Sequence, residues 1–304
     1  LNIHESQHKL YTVAVLLAAY NGEQYIEEQI KTIITQKNVS VTIFISIDLS
    51  IDNTLNLCNE LSKQYTNIVI LPYGERFGGA ARNFYRLLLD TDLSSFDYVS
   101  LADQDDLWYE NKLERAIKNL QHKHVYSSNV VAFWDDHRRC LISKSQPQVE
   151  FDYFFEAAGP GCTYVLRENV AKEFKRFCTL NKSIILDIAL HDWLIYAFCR
   201  ANNYSWFIDP EPTMLYRQHQ NNQVGANNSF RAFWKRIILI RNGWYIKEVL
   251  KIFEIFDHDN KEILPLIKSN KFIDRFLLAC KVNKLRRRFR DRLFLFAIFV
   301  FRVF

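Results

Sequence analysis

The first hundred residues alternate between unbroken apolar runs and segments with helical spacing. Thr12–Ala18 (TVAVLLA) carries no charged position, as expected of a strand covered on both faces. After the turn at Tyr20-Asn21-Gly22, residues 23–36 place Ile26, Ile30, Ile33 and Ile34 on one helical stripe. Val41–Ile47 predicts a second strand, followed by a helix capped at Ser50 or Asp52 with Leu55, Cys58 and Leu61 on one face. Asn67–Leu71 predicts a third strand, Gly78-Gly79 opens a helix through Leu89, and Tyr98–Ala102 predicts a fourth strand ending at Asp103. Three strand–helix units in succession predict a parallel, doubly wound α/β sheet. Ligands of such sheets bind beyond the carboxyl ends of the strands, which groups Ala18–Asn21, Asp48 and Asp103–Asp106 around one site.

Beyond Trp108 the pattern loosens. A helix is expected over 111–121 and strands over 130–134, 163–166, 204–209 and 214–219, with the Gly159-Pro160-Gly161 turn before the second of these. Residues 184–200 form a strongly apolar segment that contains His191-Asp192-Trp193. From Ser229 onward the chain reads as all-helical and rich in Phe, Ile and basic residues, so residues 1–228 and 229–304 are expected to form two regions.

Charge changes the picture of the second region. The net charge is +5, yet residues 281–304 alone hold eight Lys/Arg against Asp291, which leaves the body at −2. A nearly neutral body argues against nucleic acid as a partner, and a basic tail argues for a local anionic one. Leu293–Phe301 (LFLFAIFVF) adds nine consecutive apolar residues, too few to span a bilayer but suited to an interface. Packing of this segment as a final helix on the body is the other reading. The six cysteines are widely spaced with no C-x-x-C pair, and they read as buried thiols of a reducing cytosol.

Three constellations could carry chemistry. Asp103-Gln104-Asp105-Asp106 ends a buried strand with three carboxylates that repel unless a divalent cation, hydrogen-bond donors or solvent compensate them. It is either a hard oxygen site for Mg²⁺ or Mn²⁺ or a solvated acidic turn. Asp192, inside an apolar segment, is either a base at a cleft or a paired structural carboxylate. Tyr216-Arg217-Gln218-His219-Gln220-Asn221-Asn222 offers a cation, an imidazole and amides, or is a polar surface loop. No G-x-x-x-x-G-K-[ST], G-x-G-x-x-G or G-x-S-x-G occurs, which excludes the commonest nucleotide-phosphate loops and the hydrolase elbow.

Taken in order, these segments resemble family 2 glycosyltransferases of the GT-A fold. Val13–Gly22 resembles their opening strand and Leu101–Trp108 their D-x-D segment. His191-Asp192-Trp193, Ile208–Pro212, Tyr216–His219 and Asn221-Asn222 resemble the bacterial branch that builds O-antigen and capsular glycans, rhamnosyltransferases included. The resemblance spans about residues 11–228 and implies a GT-A type doubly wound, mainly parallel sheet with a C-terminal helical extension.

It also implies roles. Ala18, Tyr20, Asn21, Asp48, Arg82, Asn83, Asp103 and Arg217 would bind the nucleotide-diphosphate sugar, with Asp48 accepting from the pyrimidine N3–H. Asp105 and His219 would hold Mn²⁺ or Mg²⁺ on the diphosphate. Asp192 would be the general base of an inverting displacement, and Gly161, Cys162, His191 and Trp193 would face the acceptor. The acceptor would be a polyprenyl-diphosphate-linked glycan, with the protein peripheral at the inner face of the plasma membrane and its tail on anionic lipid. One departure is plain: where the family commonly has D-D-G-S-x-D, this chain reads Ile47-Asp48-Leu49-Ser50-Ile51-Asp52, so the turn must form without glycine. A degenerate binding module and a sugar nucleotidyltransferase are the competing classes. Retention of Asp103, Asp105, Asp192 and His219 argues against the first, and the missing Gly-rich basic loop against the second.

Overall fold

The computed structural model describes residues 10–219, 238 and 241–301. Its main sheet runs, in spatial order, β10 (Trp206–Asp209), β6 (Val125–Ser128), β9 (Val165–Arg167), β4 (Tyr98–Asp103), β1 (Tyr11–Ala19), β2 (Val39–Ile47) and β3 (Ile68–Ile70). Alternate side chains of β1 serve two cores. Ala14, Leu16 and Ala18 join one apolar cluster, and Val13, Val15, Leu17 and Ala19 join the other. Burial on both faces is why the strand reads as an unbroken run rather than an alternating one.

The second cluster is covered by α1 (Ile26–Ile34), α2 (Thr54–Gln64) and α4 (Lys112–Leu120). The first is covered by α3 (Ala80–Asp90), α6 (Glu168–Leu180) and α8 (His191–Ala201). Four of the six strand pairings are parallel; β9 is antiparallel to both β4 and β6. The expected α/β, mainly parallel architecture is therefore present, with one reversed strand inserted at its centre. A smaller sheet orders β5 (Leu107–Trp108), β11 (Met214–Arg217), β7 (Val130–Phe133) and β8 (Arg139–Ile142). Antiparallel pairing of β11 with β5 brings the chain near 217 back onto the residues just after β4.

Short helices α5 (Asp152–Phe155) and α7 (Lys182–Ile185) precede α8, and the C-terminal part is α9 (Trp244–Phe256), α10 (Leu264–Lys268), α11 (Phe272–Cys280), α12 (Val282–Leu285) and α13 (Phe289–Phe301). These helices share the core of the first cluster: Val249 and Phe253 of α9, Leu278 of α11, and Leu295, Ile298 and Phe299 of α13 pack with Phe84 and Trp193. The cations of the basic run are unequally placed. Lys281 and Lys284 pair with Glu262 at the surface, whereas Arg287 is buried. All six cysteines are free, and four are buried; Cys140 is half-exposed and Cys280 exposed, contrary to the expectation for those two.

Arg287 donates its backbone N–H to Glu156 Oε1 at 2.7 Å and its Nη2 to Ala157 O at 2.5 Å. Its Nε lies 3.5 Å from Asp152 Oδ2, a carboxylate that also takes Tyr196 OH and Arg200 Nη1 at 2.8 Å each. Removing one cation from such a buried group leaves charge uncompensated. Arg287→Ala is expected to cost about 3–5 kcal/mol of unfolding free energy, measured by urea titration. A loss under about 1 kcal/mol, the scale of an exposed pair, would show that Arg200 and Arg286 suffice.

Candidate active site

The carboxyl ends of β1 and β2 are tied by Asn83. Its Nδ2 donates to Ala19 O (3.2 Å) and Ser46 O (3.0 Å), and its Oδ1 accepts from Ser46 Oγ. The side chain is buried and committed to holding these two strand ends together. Arg82, one residue earlier, is exposed, with Nε 3.3 Å from Leu186 O. Ala18 is paired in register with Asp103.

Asp48 is nearly solvent-free. Its Oδ1 accepts from the N–H of Leu49 and of Phe77 (2.8 Å each) and its Oδ2 from Gly78 (2.9 Å). A carboxylate has about four lone-pair positions, so one on Oδ2 remains. The turn after β2 forms without glycine because none of its residues needs a left-handed backbone. Ser50 Oγ donates to Asp48 O (2.8 Å) and accepts from Asn21 N (3.0 Å), while Asn21 Oδ1 accepts from Ile51 N (2.9 Å). Two turns are thereby laced together. Asn21 itself adopts φ +45°, a region that Asn tolerates better than most residues.

Tyr20 exposes its ring, while its backbone is held by a side chain that sequence reasoning did not single out. Gln104 accepts from Tyr20 N (2.8 Å) and donates to Tyr20 O (2.9 Å). A Cβ on Gly22 would stand 2.2 Å from Gln104 Oε1, so the turn admits only glycine while this bridge is made.

Around the end of β4 the acids are unlike one another. Asp106 is sealed: Oδ1 accepts from Arg217 N (3.2 Å), Oδ2 has no hydrogen-bond partner among the described residues, and burial raises its carboxyl well above the usual range. Asp103 is pushed up to about 7, first by burial and then by Asp105 and Asp192. Cys162 Sγ lies within 4.8 Å of carboxylate oxygens of both Asp103 and Asp106, and burial raises its thiol well above the usual range, which keeps it protonated. Lys112 lies close by without solvent contact, its Nζ 3.4 Å from the Trp108 ring centroid, and burial lowers it to about 7.

Asp105 differs in facing His219, with Oδ2 and Nε2 2.6 Å apart. The imidazole stacks on Tyr25 at 5.3 Å. Arg217 is anchored behind this pair: Nε donates to Asp105 O (2.9 Å), Nη2 to Glu28 Oε2 (2.7 Å), and the guanidinium lies 4.6 Å from the rings of both Tyr25 and Phe133.

Two donor sets could hold a cation. Asp103, Asp106 and Cys162 place their ligand atoms within 4.8 Å of one another. A hard divalent ion prefers oxygen and an open position for phosphate, and this set offers a protonated thiol, with Asp106 and Cys162 buried and Asp103 alone partly exposed. Asp105 and His219 supply a carboxylate oxygen and an imidazole nitrogen, both with partial access to solvent. The second set fits better.

The first turn of α8 closes the opposite side. A Cβ on Gly161 would stand 2.6 Å from His191 Nε2 and 3.1 Å from Asp192 Cβ, so glycine permits this approach. His191 stacks on Phe84 at 4.0 Å; burial lowers it to about 3, leaving a neutral imidazole whose Nε2 has no partner among the described residues. Asp192 Oδ1 accepts from Trp193 N (2.8 Å), but burial outweighs that bond and raises the carboxyl to about 6. Trp193 is buried, donates Nε1 to Tyr153 O (2.9 Å), and stacks on Tyr245 at 5.9 Å; it fixes α8 from within the core.

The structure thus gathers Asp103, Asp105, Asp106, Cys162, Asp192, Arg217 and His219, with Asp48, Tyr20 and Asn21 joined at one edge through Gln104. Asn221 and Asn222 lie outside the described residues. Lys112 and Tyr25 carried no signal that sequence reasoning could use. Gln104 lies inside the acidic segment, where an uncharged amide carries no mark of its own.

The family model for glycosyl transferase family 2 matches residues 14–177. A dTDP-rhamnosyl transferase, RfbG, of Shigella flexneri is 50% identical over 291 residues, covering 95% of this chain and all of that protein. Among solved structures, S. aureus TarS 1–349 in complex with UDP-GlcNAc aligns with a TM-score of 0.54 at 14% identity, covering 96% of this chain and 82% of that one. The mannosyltransferase PcManGT from Pyrobaculum calidifontis, in complex with GDP-Man and Mn²⁺, aligns with a TM-score of 0.55 at 14% identity, covering 89% and 74%. These two likenesses show the GT-A fold, and the sequence matches establish that the chain belongs to glycosyl transferase family 2, a family of glycosyltransferases.

Proposed function

We propose that this glycosyltransferase transfers rhamnose, with inversion, from dTDP-rhamnose to a hydroxyl of a polyprenyl-diphosphate-linked glycan. One observation carries the reading: Asp192 stands across the Gly161 turn from the acids of β4, close enough to raise Asp103, while Asp105 and His219 pair on another flank. This reading gives base and diphosphate to different groups, as an in-line displacement requires. The 50% identity to a dTDP-rhamnosyl transferase supports the donor.

In this reading the acceptor oxygen attacks the anomeric carbon, its proton passes to Asp192, and the bond from that carbon to the diphosphate breaks. Asp105 and His219 would hold a divalent cation, which when bound neutralises charge on the leaving diphosphate. Asp48 keeps one acceptor position for the N3–H of the base, and the exposed ring of Tyr20 gives the base a surface. Asn83 and Arg217 act by holding the strand end and the 217–219 segment in place. His191 and Gly161 line the acceptor side.

No described helix is long and apolar enough to cross a membrane. Instead α11 and α13 pack together and expose Phe272, Ile273 and Phe276 of one and Phe289, Leu293 and Phe301 of the other. With Lys271 exposed just before α11 and Arg290 exposed in α13, these residues suit peripheral attachment to anionic lipid on the cytoplasmic side, where each basic residue near the surface adds about 1 kcal/mol. Truncation after Cys280 would strip Leu285, Leu295 and Phe299 from the core, so point substitutions are the sounder test.

Asp192→Asn should keep donor affinity and lose kcat by about 10²-fold or more, in steady-state transfer assays; an equal loss of donor binding would make the residue structural. Because burial raises Asp192 and the base works ionised, kcat should fall as pH drops through about 6 and be pH-independent above it until another group titrates. Asp105→Ala, or EDTA on the intact protein, should abolish transfer and weaken dTDP binding in calorimetry; full activity in EDTA would remove the metal from the reading. Phe276→Ser combined with Phe289→Ser and Leu293→Ser should release the protein from sedimented anionic vesicles without changing its melting temperature, whereas unchanged sedimentation would exclude this face.

A further inference from the structure

We propose that Lys144 anchors the diphosphate of the lipid-linked acceptor about one sugar ring away from Asp192, an inference that rests on the acceptor class given above. The strip Gly159-Pro160-Gly161 supplies the geometry. Lys144 Cβ and Cγ lie 3.6 Å from where a Cβ on Gly159 would stand, and Asp192 Cβ lies 3.1 Å from the corresponding point on Gly161. Two residues of chain span at most about 7 Å, so the lysine stem and the carboxylate flank one short strip. The stem is fixed at its root, where Lys144 N donates to Asn129 Oδ1 at 2.6 Å.

The ammonium has no counter-ion of its own. Among the described residues no carboxylate lies within ion-pair distance of it; the nearby Glu156 is taken by Arg286 at 3.4 Å and Arg287 at 3.3 Å. Lys144 is partly open to solvent, yet recessed enough that burial, with the two arginines, lowers its proton affinity despite Glu156. A recessed cation without a carboxylate beside it favours an anion that arrives from solution. The ammonium acts on Asp192, and Glu156, Arg287, Arg286 and Asp291, the last in the first turn of α13, act on it. In this proposal the sugar lies at Asp192, the diphosphate at Lys144, and the polyprenyl chain runs toward the exposed apolar residues of α13.

The test uses the full chain with EDTA present, so that Asp105 and His219 take no part, and measures binding of farnesyl diphosphate, farnesol, inorganic diphosphate and dTDP by calorimetry. Farnesyl diphosphate should bind the native protein more tightly than farnesol or inorganic diphosphate. Lys144→Gln should weaken it by about tenfold, as for loss of one charged hydrogen bond, with dTDP binding and melting temperature unchanged, and Lys144→Arg should restore most of the affinity. Undiminished binding to Lys144→Gln overturns the proposal. So does an equal loss of dTDP binding, which would put the lysine on the donor, and so does inorganic diphosphate binding as well as the farnesyl compound, which would leave a simple phosphate site. Absence of rhamnosyl transfer by the native protein would sink the donor reading while leaving this outcome to be read independently.

Discussion

Three carboxylates within four residues at a buried strand end set the terms for the rest of this site. Two unit charges 4 Å apart repel by about 4 kcal/mol at an effective dielectric of 20, so full ionisation of all three would strain the fold by more than a typical mutation does. The chain resolves this by making the acids unequal. Asp106 is sealed with a protonated thiol beside it and Lys112 close by; Asp103 titrates near neutrality; Asp105 is left facing an imidazole. The smaller sheet follows from the same need. Pairing Met214 with Trp108 and Leu215 with Leu107 fixes the register that brings the Arg217 N–H to Asp106 and His219 to Asp105.

What could be read in the sequence divides along physical lines. The strand of Thr12–Ala18 was legible because burial on two faces leaves an unbroken apolar run; α2 was legible as a helix, but its cap was not, since the N-cap is Asn53 rather than Ser50 or Asp52, with Asp52 accepting the N–H of Thr54 from one residue earlier. The reversed direction of β9 was not legible: three residues carry no local mark of which neighbour they join. Asp103, Asp105, Asp192 and His219 could be nominated because their side-chain types and order are informative. The commitments of Asn83 and Trp193 could not, since a residue's identity does not say whether its polar atoms face a ligand or a carbonyl.

The basic tail shows the same limit at longer range. Lys281–Arg292 reads as one solvated block, but Arg287 meets Glu156 across 131 residues of sequence, and no local pattern announces that contact. The apolar run of α13 likewise serves two faces. Leu295, Ile298 and Phe299 close the core while Phe289, Leu293 and Phe301 remain outside. A single-sided amphipathic pattern would have separated these roles in the sequence; a helix apolar all round conceals them.

The inner face of α13 and the Arg287 contacts join the C-terminal helices to the segment that runs from Glu156 to Gly161, and Gly161 admits the first turn of α8. The candidate lipid-facing surface and the candidate base are therefore fixed to one packed unit, with no linker between them among the residues concerned. In such an arrangement the separation of Asp192 from the exposed face of α13 is set by side-chain packing, which deforms little because protein interiors are close-packed. Under the proposed function, the reach of an acceptor from lipid to reacting hydroxyl would be selected by a rigid distance rather than by a hinge, with the segment through Gly159-Pro160-Gly161 packed between the two.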